Sequence, residues 1–257
     1  MNLYRQILTR NDCYSKGWAI TPKGVMVHST GANNPNVARY VPGDDILGRN
    51  TNGNHWDRPG VAKCVHAFIG KIADGSVAAV QTLPWNWRGW HAGGSANDTH
   101  ISFELCEDGL DDPAYFAAVY RQAVELTAYL CKEYNLDPLA DGVVLCHQEG
   151  YRRGIASNHA DVLHWFPKFG RTMDDFRADA ARAKEGEREV TYEQWKAFMD
   201  QYRGELAAQP PGDWAVPYIA QAVEAGLMAD VGGSIERPKD FVTREELATA
   251  LAAAVRR

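Results

Sequence analysis

The chain has little of what marks membrane or exported proteins. It contains no run close to the roughly 18 consecutive apolar residues that a membrane-spanning helix needs. Its start, MNLYRQILTRNDCYSKG, has an apolar stretch that is too short and too interrupted by charges to resemble a secretory signal. We therefore expect synthesis in the cytoplasm, so that any action outside the cell would need another route of release.

Paired cysteines and excess positive charge are also missing. The five cysteines are an odd number and form no CxxC pair, which favours buried free thiols over a disulfide framework. Lysine and arginine total 27 against 33 aspartates and glutamates, and the net charge of -6 gives no electrostatic reason to expect nucleic-acid binding. What remains is an ordinary globular composition, in which 45% of residues are hydrophobic and eight are tryptophans.

Short apolar runs alternate with glycine-rich connections and predict a sheet. The predicted strands are GVMVHST (24–30), CVHAFIG (64–70), SVAAVQTL (76–83), HISFELC (100–106) and GVVLCH (142–147). Asp74-Gly75 predicts a hairpin turn between the second and third of these runs. A long amphipathic helix is predicted from the aspartate cap and Pro113 onward, and a second helix over 173–188. We therefore predict an α/β fold with a mixed central sheet flanked by helices.

The composition changes after this region. Residues 190–209 predict a further helix, PPGDW (210–214) predicts a break, and two short amphipathic helices follow. We place the domain boundary between about 185 and 210. This gives a domain over 1–185, a helical linker over 186–210 and a small all-α domain over 211–257.

Histidines end two of the predicted strands, His28 the first and His147 the last. Strand ends are where a sheet presents side chains to a cleft, and neutral imidazole is a good zinc ligand. Nine residues that begin at Ser157, SNHADVLHW, add His159, Asp161 and His164. The residues alone leave open whether these groups bind a metal, and histidines at strand ends are often structural.

The segments VMVHSTGANN, GWHAGGSANDTHISFELCED and LCHQEGYRRGIASNHADVLHWFP, in this order, resemble a known family. They are similar to type-2, zinc-dependent N-acetylmuramoyl-L-alanine amidases, which are related to peptidoglycan recognition proteins. The resemblance covers about residues 20 to 180 and looks closest to amidases of Firmicutes phages and prophages. It implies a metal-dependent hydrolase that acts on peptidoglycan.

The resemblance implies His28 and His147 as zinc ligands and Asp161 as the third, with Val162 where the family commonly has proline. His159 occupies the place of a family lysine thought to stabilise the oxyanion, so we assign it that catalytic role. The alternative makes His159 the ligand and Asp161 the residue that supports it. We assign no role to His164.

The resemblance also implies a general base, because ISFE (101–104) corresponds to a family stretch like IGIE and supplies Glu104. The family's WHAG stretch lines the substrate cleft, which makes Trp90, His91 and Asn97 candidate substrate contacts. The alternative for this stretch is a tightly turned surface loop in which tryptophans anchor glycines. His66 and His100 lie within predicted strands, and we expect both to be structural.

Residues 211–257 resemble one S-layer homology motif, a module type that binds secondary cell-wall polymers. We expect wall binding or homo-oligomerisation through this segment, or a small helical cap. The leading hypothesis is an endolysin that is released by a holin and cleaves the bond between N-acetylmuramic acid and L-alanine. The rivals are a non-catalytic peptidoglycan-binding module and a bacterial autolysin or prophage amidase.

Overall fold

The computed structural model describes residues 1–186 and 192–228, together with residues 239, 247–248, 251–252 and 254. The chain separates into two compact units, Met1–Glu187 and Arg188–Arg257. The predicted roles of the three segments, 1–185, 186–210 and 211–257, stay predictions. Among the described residues, no helix combines the length and apolar composition needed to cross a membrane.

The first unit contains a six-stranded sheet. Its strands are β1 (Leu3–Arg5), β2 (Gly24–Ser29), β3 (Ala67–Lys71), β4 (Val77–Gln81), β5 (His100–Leu105) and β6 (Val144–Cys146), in the order β1-β4-β3-β5-β2-β6. All neighbouring pairs are parallel except β3 and β4, which form an antiparallel hairpin. Gly75 takes a positive φ of 83° in the hairpin turn, as the sequence predicts. The predicted mixed α/β fold is confirmed.

Four helices belong to this unit: α1 (Asp12–Lys16), α2 (Pro113–Glu133), α3 (His147–Arg152) and α4 (Met173–Gly186). Helix α2 begins as predicted, because the Asp112 side chain accepts hydrogen bonds from the amides of Ala114 and Tyr115. Its apolar face and α4 pack against one face of the sheet. This core contains Ile101, Phe103 and Leu105 of β5, so the alternation in this strand is also confirmed.

A second apolar cluster covers the other face of the sheet. Phe68 of β3 stacks on Tyr40, with ring centroids 4.7 Å apart, and meets Trp56 edge-on. Residues of this cluster come from the long connection between β2 and β3, which has few regular elements of its own. Burial of these residues packs the connection against β3 and β4.

Two details differ from the sequence prediction. The last predicted strand ends at Cys146, and His147 begins helix α3, because the Glu149 side chain accepts from the Cys146 amide and caps the new helix. Strand β1 and helix α1 were not predicted, since elements of three and five residues carry too short a pattern to detect.

The second unit contains helices α5 (Tyr192–Ala207) and α6 (Val216–Glu224). Helix α5 lies within the segment 190–209 that the sequence predicts to be helical, and α6 begins two residues before the predicted helix YIAQAVEAGLM (218–228). Helix α6 follows the PPGDW break and has Pro217 in its first turn. The second predicted helix of the C-terminal segment, over 243–257, lies mostly outside the described residues.

Candidate functional site

Three chain segments meet where β2, β5 and β6 end. In the parallel register His28 is paired with Glu104 and Val27 with Cys146, which places His147 one residue beyond β6. Paired residues of neighbouring parallel strands share a face of the sheet. His28, Glu104 and the first residue of α3 therefore line one pocket by register alone.

The central feature is a triangle of three donor atoms. His28 Nδ1 lies 3.0 Å from His147 Nδ1 and 3.4 Å from Asp161 Oδ2, and His147 Nδ1 lies 3.3 Å from the same oxygen. Ligand atoms bound tetrahedrally to zinc at about 2.0–2.1 Å stand about 3.3 Å apart. Two imidazoles and one carboxylate are also a ligand set that zinc accepts. The triangle thus fits a divalent ion in spacing and in chemistry.

The charges of the triangle also suit a cation. Burial lowers the pKa of His28, which keeps its imidazole neutral near pH 7. Burial alone would raise the pKa of Asp161, but the contacts with His147 and His28 outweigh it and lower that pKa well below its usual value. A neutral imidazole and an ionised carboxylate are the protonation states that bind a metal.

The outward ring nitrogens of both histidines have partners. His28 Nε2 lies 2.9 Å from His91 Nδ1, and His147 Nε2 lies 3.2 Å from Ser157 Oγ. A hydrogen bond at the far nitrogen orients a ligating imidazole and selects its tautomer. The structure therefore places His91 behind His28, whereas the sequence suggested a substrate contact, which stays an untested prediction.

Glu104 lies beside the triangle on the central strand. The residue is half-buried, and its Oε2 is buried with no hydrogen-bond partner in the described part of the chain. Burial, followed by the nearby charge of Asp161, raises the pKa of Glu104 to about 8. A buried carboxyl oxygen without a partner is costly, so it indicates a place for a group that is exchanged during function.

The geometry bears on whether Asp161 or His159 is the third metal ligand. Asp161 Oδ2 is the atom within reach of both Nδ1 atoms, and only the set His28, His147 and Asp161 forms a metal-type cluster among the described residues. His159 is exposed; its Nδ1 lies 3.1 Å from Ser157 Oγ and its ring centroid 4.6 Å from that of His147. This arrangement favours Asp161 as ligand and puts His159 beside the site.

The glycine-rich stretch behaves largely as an anchored loop. Trp90 pairs its backbone with that of Cys64 and packs against a small cluster with Cys13 and Leu83. Asn97 is buried, and its Oδ1 accepts from the backbone amides of His91 and Ala92. Substrate contact by Trp90 and Asn97 stays a prediction, although both side chains already hold the loop.

Four further histidine and carboxylate contacts complete the surroundings. His66 accepts from the Ser102 amide and lies 2.7 Å from the Trp87 carbonyl, and His100 lies 3.0 Å from the Gly142 carbonyl, so both have structural partners as expected. The sequence missed a pair between His164 and the buried Glu107, whose Nε2 and Oε1 atoms are 2.8 Å apart. No pattern in the sequence links positions so distant.

The fold and the donor triangle define an α/β protein with a candidate mononuclear metal centre at the carboxyl edge of its sheet. The family model described as N-acetylmuramoyl-L-alanine amidase (Amidase_2) matches residues 19–164, more than half of the chain. The chain belongs to this family, which makes it a hydrolase of the peptidoglycan amidase class.

Solved structures agree on the fold. The hydrolase AmiA of Staphylococcus aureus, in complex with its ligand, is 18% identical and has a TM-score of 0.57, covering 72% of this chain and 83% of its own. A mutant of PlyL is 19% identical with a TM-score of 0.50, covering 70% of this chain and 98% of its own. No curated protein matches the chain.

Proposed function

We propose that the chain is a zinc-dependent amidase that cleaves the bond between N-acetylmuramic acid and the L-alanine of the stem peptide. The observation that carries this proposal is the donor triangle of His28, His147 and Asp161, with atoms 3.0–3.4 Å apart. Three lone-pair atoms at such distances repel one another unless a cation or shared protons lie between them. Family membership supplies the substrate class.

Each residue has a defined task. His28, His147 and Asp161 would hold the zinc ion, which when bound would supply the Lewis acidity that activates water and polarises the scissile carbonyl. The unpartnered Oε2 of Glu104 takes the proton of the attacking water and later delivers it to the departing L-alanine amine. His159, on the exposed loop beside His147, donates a hydrogen bond to the oxygen that becomes negative.

The direct test uses purified protein and peptidoglycan, with and without a chelator. Amidase action releases free L-alanine amino termini, and the chelator should abolish the release until zinc is restored. Reducing sugars in place of amino termini would indicate a glycosidase and reject the proposal. Wall binding with neither product would favour the non-catalytic recognition module.

We further propose that the enzyme acts as an endolysin on the cell wall after holin-type release, with origin in a phage or prophage. Sequence resemblance is the support for this role. Production of the protein in a peptidoglycan-containing host, with and without a holin, tests it. Lysis should require the holin; lysis or wall remodelling without one would favour an autolysin.

The role of the C-terminal segment is a separate proposal. We infer that residues 211–257 bind a secondary cell-wall polymer or mediate homo-oligomerisation. Exposed aromatic side chains, 79% exposed at Trp214 and 67% at Tyr218, are available for such contacts. Replacing both by alanine should weaken sedimentation with purified walls or shift the oligomeric mass, while turnover of a soluble muropeptide stays unchanged.

A further inference from the structure

We infer that Ser157 is a positioning residue that fixes the tautomer of the metal ligand His147 and holds His159 beside it through the same oxygen. The inference rests on the proposed zinc function and adds to it a residue that touches neither the substrate nor the metal. Its basis is a single hydroxyl with three polar neighbours, each within hydrogen-bond distance.

The three contacts of Ser157 Oγ determine which group donates the proton in each hydrogen bond. Ser157 Oγ donates to the Ala92 carbonyl at 3.1 Å, and a hydroxyl has only one proton to give. Its remaining contacts, 3.2 Å to His147 Nε2 and 3.1 Å to His159 Nδ1, must therefore be bonds that it accepts. Both imidazoles consequently present N–H groups to Ser157, which uses its one proton and both lone pairs.

The consequence for His147 follows from its chemistry. A neutral imidazole carries one proton, and placing it on Nε2 leaves the lone pair on Nδ1. Nδ1 is the atom of His147 that lies in the donor triangle. Ser157 therefore selects the tautomer that can bind a cation, as partners of ligating histidines generally do.

Backbone contacts with the glycine-rich loop position the Ser157 hydroxyl. The Ser157 amide donates to the Ala92 carbonyl at 2.7 Å, and the Ala96 amide donates to the Ile155 carbonyl at 3.0 Å. A Cβ at Gly93 would come within 2.9 Å of Ser157 Oγ, and one at Gly94 within 2.4 Å of the Ile155 carbonyl oxygen. The two glycines thus allow the backbones to meet closely enough for Ser157 to reach Ala92.

The test measures zinc binding alone, without peptidoglycan, by competition with a chromophoric chelator. Ser157→Ala should weaken zinc affinity about 10–100-fold, the usual cost of losing a partner of a ligating histidine. Ser157→Thr keeps the hydroxyl and should stay within about threefold of wild type. Ser95→Ala, which removes an exposed hydroxyl from the facing loop, is the matched control and should change nothing.

A spectroscopic measurement provides a second test, which begins with the wild type. In zinc-loaded wild type, ¹⁵N spectra of the histidine side chains should show zinc on Nδ1 of His147 and a slowly exchanging proton on its Nε2. Ser157→Ala should speed that exchange. Zinc on Nε2, or unchanged affinity and exchange in Ser157→Ala, would overturn the inference; if Ser157→Ala does not fold, the wild-type spectrum decides. Failure of wild type to bind zinc would instead reject the proposed function.

Discussion

The site combines two regions that differ in burial and in secondary structure. His28 lies near the end of the buried strand β2 and His147 begins α3 directly after β6, and their side chains are 1% and 4% exposed. Asp161 and His159 come from the loop between α3 and the turn at Phe166–Phe169, where Asp161 is 19% exposed and His159 is exposed. The sheet edge thus positions two of the proposed ligands, while the position of the third depends on the contacts that hold its loop.

The two regions should therefore respond differently to metal binding and to substitution. Side chains on packed strands lose little further freedom when a metal binds, whereas loop residues must be ordered by local contacts. Ser157 supplies such a contact, because its hydroxyl joins the loop to His147 and to the Ala92 carbonyl. Substitutions at the sheet edge should therefore abolish zinc binding, and substitutions in the loop should weaken zinc affinity to different extents.

The largest effect is expected from the two proposed ligands at the edge of the sheet, His28 and His147. His28→Ala or His147→Ala should reduce zinc affinity well beyond the roughly 10–100-fold that loss of an outer partner costs, and activity should fall to background. Zinc titration and release of L-alanine amino termini measure both. His100→Gln is a matched control, since His100 begins β5 at the end remote from Glu104; near-wild-type zinc affinity in His28→Ala would contradict the comparison.

A large effect of another kind is expected at Glu104. Glu104→Gln keeps the size and removes the base, so kcat should fall about 10²–10⁴-fold while zinc affinity stays close to wild type. The buried Oε2 without a partner is the reason to expect a chemical role there. Parallel measurement of kcat and of zinc affinity separates the two quantities, and a variant with full activity would exclude the general base.

The loop ligand should give a graded response. Asp161→Asn removes the negative charge and should weaken zinc binding strongly, while Asp161→Cys should recover much of the affinity because thiolate is also a zinc ligand. Competition titration of the pair of variants measures this recovery. Equal losses in both variants, together with zinc loss in His159→Ala, would transfer the ligand role to His159.

The smallest effect is expected at His159 itself. His159→Ala should lower kcat about 100-fold, the lower end of the range for loss of one oxyanion donor, and leave zinc affinity within a few-fold. His159→Lys should restore part of kcat, because lysine also donates a hydrogen bond and stands at this place in the resembling family. Full activity in His159→Ala would remove His159 from the mechanism.

The same division explains what could be predicted. Alternating and apolar runs predicted strands β2 to β6 and helices α2 and α4, and the strand ends identified His28 and His147 as candidates. Resemblance supplied Glu104 and Asp161, which residue patterns alone would have left among many surface carboxylates. The start of α3 at His147 was missed, because the predicted strand over 142–147 extends through His147 and the cap comes from Glu149, beyond that run.

Tertiary packing alone decided the remaining contacts. The contact of His91 with His28 carried no signal in the sequence, and neither did Ser157 or the Glu107–His164 pair, because these contacts join residues 10 to 63 positions apart. The substrate contact expected for His91 stays a prediction. The order of apolar and polar residues determined by itself the strands, the long helix and the histidines at strand ends, since local periodicity encodes those features. Which oxygen or nitrogen completes the triangle, and which tautomer each ring adopts, depended on distances between segments that only the folded chain brings together.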